Sequence, residues 1–180
     1  FKLAEDITLP ADWTPIGCLK DESVTPGALD YADKGRNMNP FSGTLDGDGH
    51  TLTMAKGSRP LLMFARKATV RNLNIQGERI VGNGLLERYV IDYGTDGYYN
   101  NSVPNTITIE NCHIVGDTNI TGSGFLSGYA SGLNIVIIVN CSAGENVVIG
   151  CDKDQSEVGS LAGHFNGSVM NCTSAATVYG

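Results

Sequence analysis

Four short stretches of this chain share one pattern, and that pattern constrains the fold more than any overall property does. VRNLNIQG at 70–77, IENCHIVG at 109–116, IVNCSAG at 138–144 and VMNCTSA at 169–175 align on Asn72, Asn111, Asn140 and Asn171, followed by Leu73, Cys112, Cys141 and Cys172. The asparagines lie 39, 29 and 31 residues apart, a range in which self-similar units stack on one another.

The spacing inside each stretch carries geometry. Val70 and Leu73, Ile109 and Cys112, Ile138 and Cys141, and Val169 and Cys172 are each three residues apart, whereas residues on one face of a straight strand are an even number apart. If both members point inward, the chain bends at the asparagine. Asparagine suits a bend because it tolerates unusual backbone angles and its amide bonds nearby backbone. Stacked bends predict a buried ladder of Asn72, Asn111, Asn140 and Asn171 whose amides bond one another, and an inward stack of Cys112, Cys141 and Cys172 as small apolar side chains. No base recurs beside these thiols to activate one.

A second element repeats upstream: RPLLMF (59–64), GNGLLE (82–87), SGFLSG (123–128) and VGSLAG (158–163), aligned on Leu62, Leu86, Leu126 and Leu161. The distance from this leucine to the asparagine varies, so insertions are confined to particular repeats, as stacked coils tolerate. Insertions are expected at 18–40 and 87–105. The first, with Asp21, Glu22, Asp30 and Asp33, reads as a solvated segment or a cover for an open end of the stack. The second holds Tyr89, Tyr93, Tyr98 and Tyr99 beside Asp96; such tyrosines either pack on the flank of the stack or stack on sugar rings while polar neighbours bond hydroxyls.

Composition agrees with many short strands and turns: glycine is 23 of 180 residues, about twice ordinary usage. The net charge of -7 and the lack of any Lys/Arg run make nucleic acid an unlikely partner. The longest apolar run, Ile135 to Val139, is far short of the roughly 20 residues that span a bilayer. The start at Phe1 without a signal sequence suggests a segment of a longer protein. Five cysteines at irregular spacing indicate neither a dense disulfide framework nor a zinc site, and no cofactor is expected.

Asn100, Asn119, Asn140, Asn166 and Asn171 head N-x-S/T sequences; a glycan on Asn140 or Asn171 does not fit a buried ladder, which argues against a eukaryotic secretory origin.

LDGDGHTL (45–52) poses the sharpest local question. Asp46 and Asp48 with His50 are weak candidate metal ligands, but calcium takes six or more oxygens, and Asp-Gly between strand-like segments signals a turn. Asp152, Asp154 and Glu157 superficially suggest a calcium loop but lack its glycine and distant glutamate.

These elements also carry a resemblance. Phe1-Lys2-Leu3-Ala4-Glu5-Asp6-Ile7-Thr8-Leu9, Trp13-Thr14-Pro15-Ile16-Gly17 and Phe41-Ser42-Gly43-Thr44-Leu45-Asp46-Gly47-Asp48-Gly49-His50-Thr51-Leu52 resemble the opening coils of bacterial surface proteins with GLUG-motif repeats. Gly124-Phe125-Leu126-Ser127-Gly128 and Gly159-Ser160-Leu161-Ala162-Gly163 resemble the motif itself. The resemblance implies a right-handed, single-stranded parallel β-helix in an adhesin-like, secreted or surface protein, with no reaction attached.

The expected chain is thus one all-β solenoid over 1–180. Its expected role is a non-catalytic spacer or binding surface on a bacterial cell, its partners a glycan or a cell-surface protein and further domains of the same longer chain. Binding is assigned to Tyr89, Tyr93, Asp96, Tyr98 and Tyr99. The catalytic alternative is a polysaccharide lyase or glycosidase on the same scaffold, with Asp92 and Asp96, or Asp152, Asp154 and Glu157, as its acids.

Overall fold

In the computed structural model, residues 1–17, 39–89, 105–126, 134–151 and 158–180 are described. Alternation of Thr and Ile along Asn105–Glu110 puts Ile107 and Ile109 inside and leaves Thr106, Thr108 and Glu110 half-buried outside, the two-residue period of a strand. Fifteen strands and no helix occur among the described residues.

The strands form three sheets. The first contains β2 (Phe41–Asp46), β4 (Leu62–Arg71), β7 (Asn105–Glu110), β10 (Asn134–Val139) and β13 (Gly167–Met170), with β6 (Leu86–Tyr89) paired to the start of β4. The second runs β1 (Ile7–Leu9), β3 (Thr51–Met54), β5 (Asn74–Gly77), β8 (His113–Ile114), β11 (Ser142–Ala143) and β14 (Thr173–Ser174). The third joins β9 (Asn119–Ile120), β12 (Val148–Ile149) and β15 (Thr177–Val178).

All these strand pairings are parallel. Neighbours in a sheet belong to successive turns of the chain, so the architecture is the all-β parallel β-helix expected from the repeats. A right-handed sense is what strand twist favours for parallel crossovers.

The core is a set of rows in register. Leu45, Val70, Ile109, Ile138 and Val169 stack along the first sheet, and Ile7, Leu52, Ile75, Ile114 and Ala143 along the second. Ile80, Ile120, Ile149 and Val178 stack along the third. Ile75, Ile109, Ile114, Ile120, Ile138 and Ile149 are fully buried, each worth about 1.5–3 kcal/mol relative to exposure.

The bends fall where the three-residue spacing puts them. Asn72, Asn111, Asn140 and Asn171 adopt φ of 54, 50, 55 and 53°, the left-handed region that asparagine tolerates better than most residues. Each turn of backbone there is tied to the next coil: the N–H groups of Asn72, Asn111 and Asn140 donate to the carbonyls of Glu110, Val139 and Met170 at 2.9–3.0 Å.

Two expectations need correction. The asparagine side chains are not buried: Asn72 is half-buried and Asn111, Asn140 and Asn171 are exposed. A left-handed residue turns the backbone so that the next side chain points in while its own stays on the outer rim of the corner, so the objection to a glycan on Asn140 or Asn171 falls. Secondly, Leu62, Leu86 and Leu126 do share a row, but its next member is Ala162 and not Leu161. The Phe125 N–H donates to the Leu161 carbonyl at 2.6 Å, which puts Leu161 one position earlier in the row. Gly124 sits so close to the next coil that a Cβ would run into the backbone of Ser160 and Leu161, a steric reason for its glycine.

The inserted segments also start and end differently. Glu87, Arg88 and Tyr89 continue β6, and Asn105 begins β7, so strands reach into both ends of the expected insertion 87–105, whose remaining residues 90–104 lie outside the described residues.

Candidate functional site

The LDGDGHTL corner is the first bend of the solenoid. Asp46 pairs with Arg71 and Thr51 with Asn74, so residues 47–50 occupy a corner that Asn72 and Leu73 fill in the next coil. Asp48 and Gly49 take positive φ, 53 and 83°, and the His50 N–H closes the turn on the Gly47 carbonyl at 2.8 Å. A Cβ at Gly47 would collide with Asn72 and Leu73.

Both carboxylates are committed to protein partners. Asp46 Oδ1 accepts from the Asn72 amide at 3.0 Å and from the Asp48 N–H at 3.0 Å, while Oδ2 accepts from Arg71 Nε at 2.9 Å. The Asn72 amide bond, then the Asp48 N–H and Arg71, hold the Asp46 carboxyl down at about 2. Asp48 Oδ2 pairs with Lys2 Nζ at 2.9 Å. Asp6 accepts from the Thr51 N–H at 2.9 Å and lies 3.2 Å from His50 Nδ1; the first of these bonds, with the second, lowers its pKa.

Asp46 is therefore the anionic end of the asparagine ladder. Asn111 Nδ2 donates to Asn72 Oδ1 at 2.9 Å, and Asn72 Nδ2 donates to Asp46. The expected ladder of four bonded amides is thus realised only between Asn111 and Asn72, whose donors both point towards the Asp46 carboxylate; Asn140 and Asn171 share the bend but not the side-chain bonds. Asn111 Oδ1 in turn lies 3.3 Å from His113 Nε2.

One position further on, the thiols form a second ladder inside the corner. The Cys112 N–H donates to Cys141 Sγ at 3.4 Å and the Cys141 N–H to Cys172 Sγ at 3.3 Å. Each thiol donates to the carbonyl two residues before it, at 3.3, 3.2 and 3.1 Å for Cys112, Cys141 and Cys172. Cys112 and Cys141 are buried and Cys172 is half-buried. The adjoining Cys141 thiol and burial push the Cys112 thiol up, and the bond from Cys112 lowers that of Cys141. Sequence reasoning found the inward stack but missed that sulfur is also the acceptor for a buried N–H, a role leucine cannot fill.

A third cluster was not legible as such. Ser142 Oγ lies 2.8 Å from His113 Nδ1, and His113 reaches back to Asn111, which resembles the nucleophile, base and orienting group of a hydrolase. Asn111 carries no charge to stabilise an imidazolium. The N–H groups of Ser142 and Gly144, the nearest candidates to stabilise an oxyanion, donate to the Cys112 and Ile114 carbonyls. The trio extends the line of side-chain bonds from Asn111 through His113 to Ser142 of the next coil.

Tyr93, Asp96, Tyr98 and Tyr99, and the alternative acids Asp92, Asp152, Asp154 and Glu157, lie outside the described residues. The backbone of Tyr89 ends β6 and pairs with Ala65. Among the described residues no group of three or more His, Cys, Asp or Glu side chains is arranged to hold a metal ion, and no helix is long and apolar enough to cross a membrane. No family model matches the chain, and no match was found among curated proteins or solved structures.

Proposed function

We propose that this chain is a non-catalytic β-helix module of a secreted or cell-surface bacterial protein, related to the adhesin-like GLUG-repeat proteins it resembles. In this reading it serves as a stiff spacer that presents a binding surface for glycans, alongside other domains of a longer polypeptide. The observation that carries it is the use made of reactive side chains. Asp6, Asp46, Asp48, His50, Cys112, Cys141 and His113 all bond neighbouring residues across or within the coil corners.

In the glycan-binding part of this reading, Tyr89, Tyr93, Asp96, Tyr98 and Tyr99 make the contacts, with aromatic faces on sugar rings and polar groups on hydroxyls. Binding to a printed oligosaccharide array that disappears in Tyr98→Ala/Tyr99→Ala supports it. Shortening of a polysaccharide by the purified chain would instead establish the lyase or glycosidase alternative.

A further inference from the structure

The thiol ladder ends on a coil held differently from those beneath it. Among the described residues β13 and β14 each pair with one strand, whereas β10 and β11 are held between two. Val169 and Met170 in the last coil are 45 and 47 % exposed, against 0 % for Ile138 one coil earlier. Cys172 is the half-buried end of a row whose other members, Cys112 and Cys141, are buried. A small solute therefore reaches Cys172 first.

Register places Cys172 directly over Cys141. Val139 pairs with Met170 before the bend and Ser142 with Thr173 after it, so the two cysteines keep the same offset of 31 residues, and the Cys141 N–H donates to Cys172 Sγ at 3.3 Å. Both follow a left-handed asparagine of nearly equal φ, 55 and 53°, so their Cα–Cβ bonds leave the corner in the same direction. Parallel neighbours lie about 4.8 Å apart, within the Cα separations of about 4.4–6.8 Å that a disulfide bridges. The Cβ atoms of a disulfide lie about 3.8 Å apart, so one strand must approach the other by about 1 Å. The last coil, paired on one side, is free to make that approach. A bond between Cys112 and Cys141 would instead shift coils tied on both sides, around a Cys112 that no reagent reaches.

We propose that Cys141 and Cys172 are a redox pair, which a low-molecular-weight disulfide oxidises to a cystine that staples the last coil to the one beneath it. The Cys172 thiolate attacks the small disulfide, whose S–S bond breaks as a mixed disulfide forms on Cys172; the small thiolate that leaves takes up the proton Cys172 gave up. The Cys141 thiolate then attacks Cys172 Sγ, the mixed bond breaks, and a second small thiol leaves with the Cys141 proton. Two cysteine thiols lose two electrons to become one cystine, and one small disulfide becomes two small thiols. The bond from Cys112, which lowers the pKa of the Cys141 thiol, favours the attacking species.

The test is to incubate the whole chain with glutathione disulfide, alkylate the remaining thiols, digest with chymotrypsin and glutamyl endopeptidase, and map the peptides by mass spectrometry. Cys172→Ser and Cys151→Ser are treated in parallel, with circular dichroism to check folding. The expected result is a Cys141–Cys172 bridge in the unaltered chain and in Cys151→Ser. Dithiothreitol removes it, and it is absent from Cys172→Ser. The oxidised chain should also melt at a higher temperature than the reduced one, because the bridge constrains the unfolded chain. A bridge between any other two cysteines, a glutathione adduct that persists on Cys172, or no oxidation at all overturns the pairing. A melting temperature unchanged by oxidation overturns the staple.

Discussion

Replacing Cys141 separates the two roles its sulfur plays. Cys141 Sγ accepts the N–H of Cys112 and donates to the carbonyls of Val139 and Ile109, at 3.2 and 3.5 Å, and it fills space in a corner where Cys112 is wholly buried. In Cys141→Ala the Cys112 N–H loses its acceptor. Leaving a buried donor unpaired costs about 1–3 kcal/mol, and the low end applies because sulfur is a weak acceptor. Loss of the sulfur's packing adds about 1 kcal/mol, near the value for one buried methylene. The expected total is about 2 kcal/mol, or a melting temperature lowered by about 4–8 °C in a chain of this length. Cys141→Val restores volume but not the acceptor and should retain about 1 kcal/mol of the loss; Cys141→Ser restores the acceptor and should lie closer to the parent. Denaturant midpoints at unchanged slope give the ranking. If valine equals the parent and alanine alone is weakened, the sulfur acts by packing only and the thiol ladder is not an energetic feature.

Three further outcomes follow from the corners. Asn140→Gly should keep or raise the melting temperature, whereas Asn140→Ala should cost about 1 kcal/mol through the left-handed conformation; equal stability of the two in thermal melts would remove the conformational argument. Asp46 sits at about 2 against an ordinary 3.8, so its contribution is fully present above pH 3.8 and is lost as pH falls towards 2. Acid unfolding of Asp46→Asn should therefore show a shallower loss of stability across that window than the parent, and identical acid profiles would refute the role of the charge. Gly124→Ala forces a Cβ against the backbone of Ser160 and Leu161 and should cost about 1–3 kcal/mol by overpacking, read in a urea titration against the parent.

Much of the fold was legible because coil stacking writes a local rule into each repeat. Three-residue spacing across Asn72, Asn111, Asn140 and Asn171 already implied a bend with both flanking side chains inside. LDGDGHTL was legible as a turn because two Asp-Gly steps leave few other conformations. The slip at Leu161 shows the limit: VGSLAG matches SGFLSG letter for letter at its glycine and leucine, but only the pairing with the previous coil decides which residue takes the place of Leu126. The candidate binding residues were legible only as composition, since Tyr93, Asp96, Tyr98 and Tyr99 have no periodic partner elsewhere in the chain that would place them.

By itself the sequence determined the all-β class, the position of each bend and the inward rows of Ile, Val, Leu and Cys, because strand period and backbone preference are local properties. The tertiary structure alone decided that the asparagine side chains lie on the rim, with those of Asn111 and Asn72 bonded in line to Asp46, and that cysteine sulfur accepts the N–H of the coil before it. Each of these depends on which residues of different coils face one another, separated by 25 residues or more for Asp46 to Arg71 and Cys112 to Cys141. Such contacts are fixed by register between coils, which no local stretch encodes.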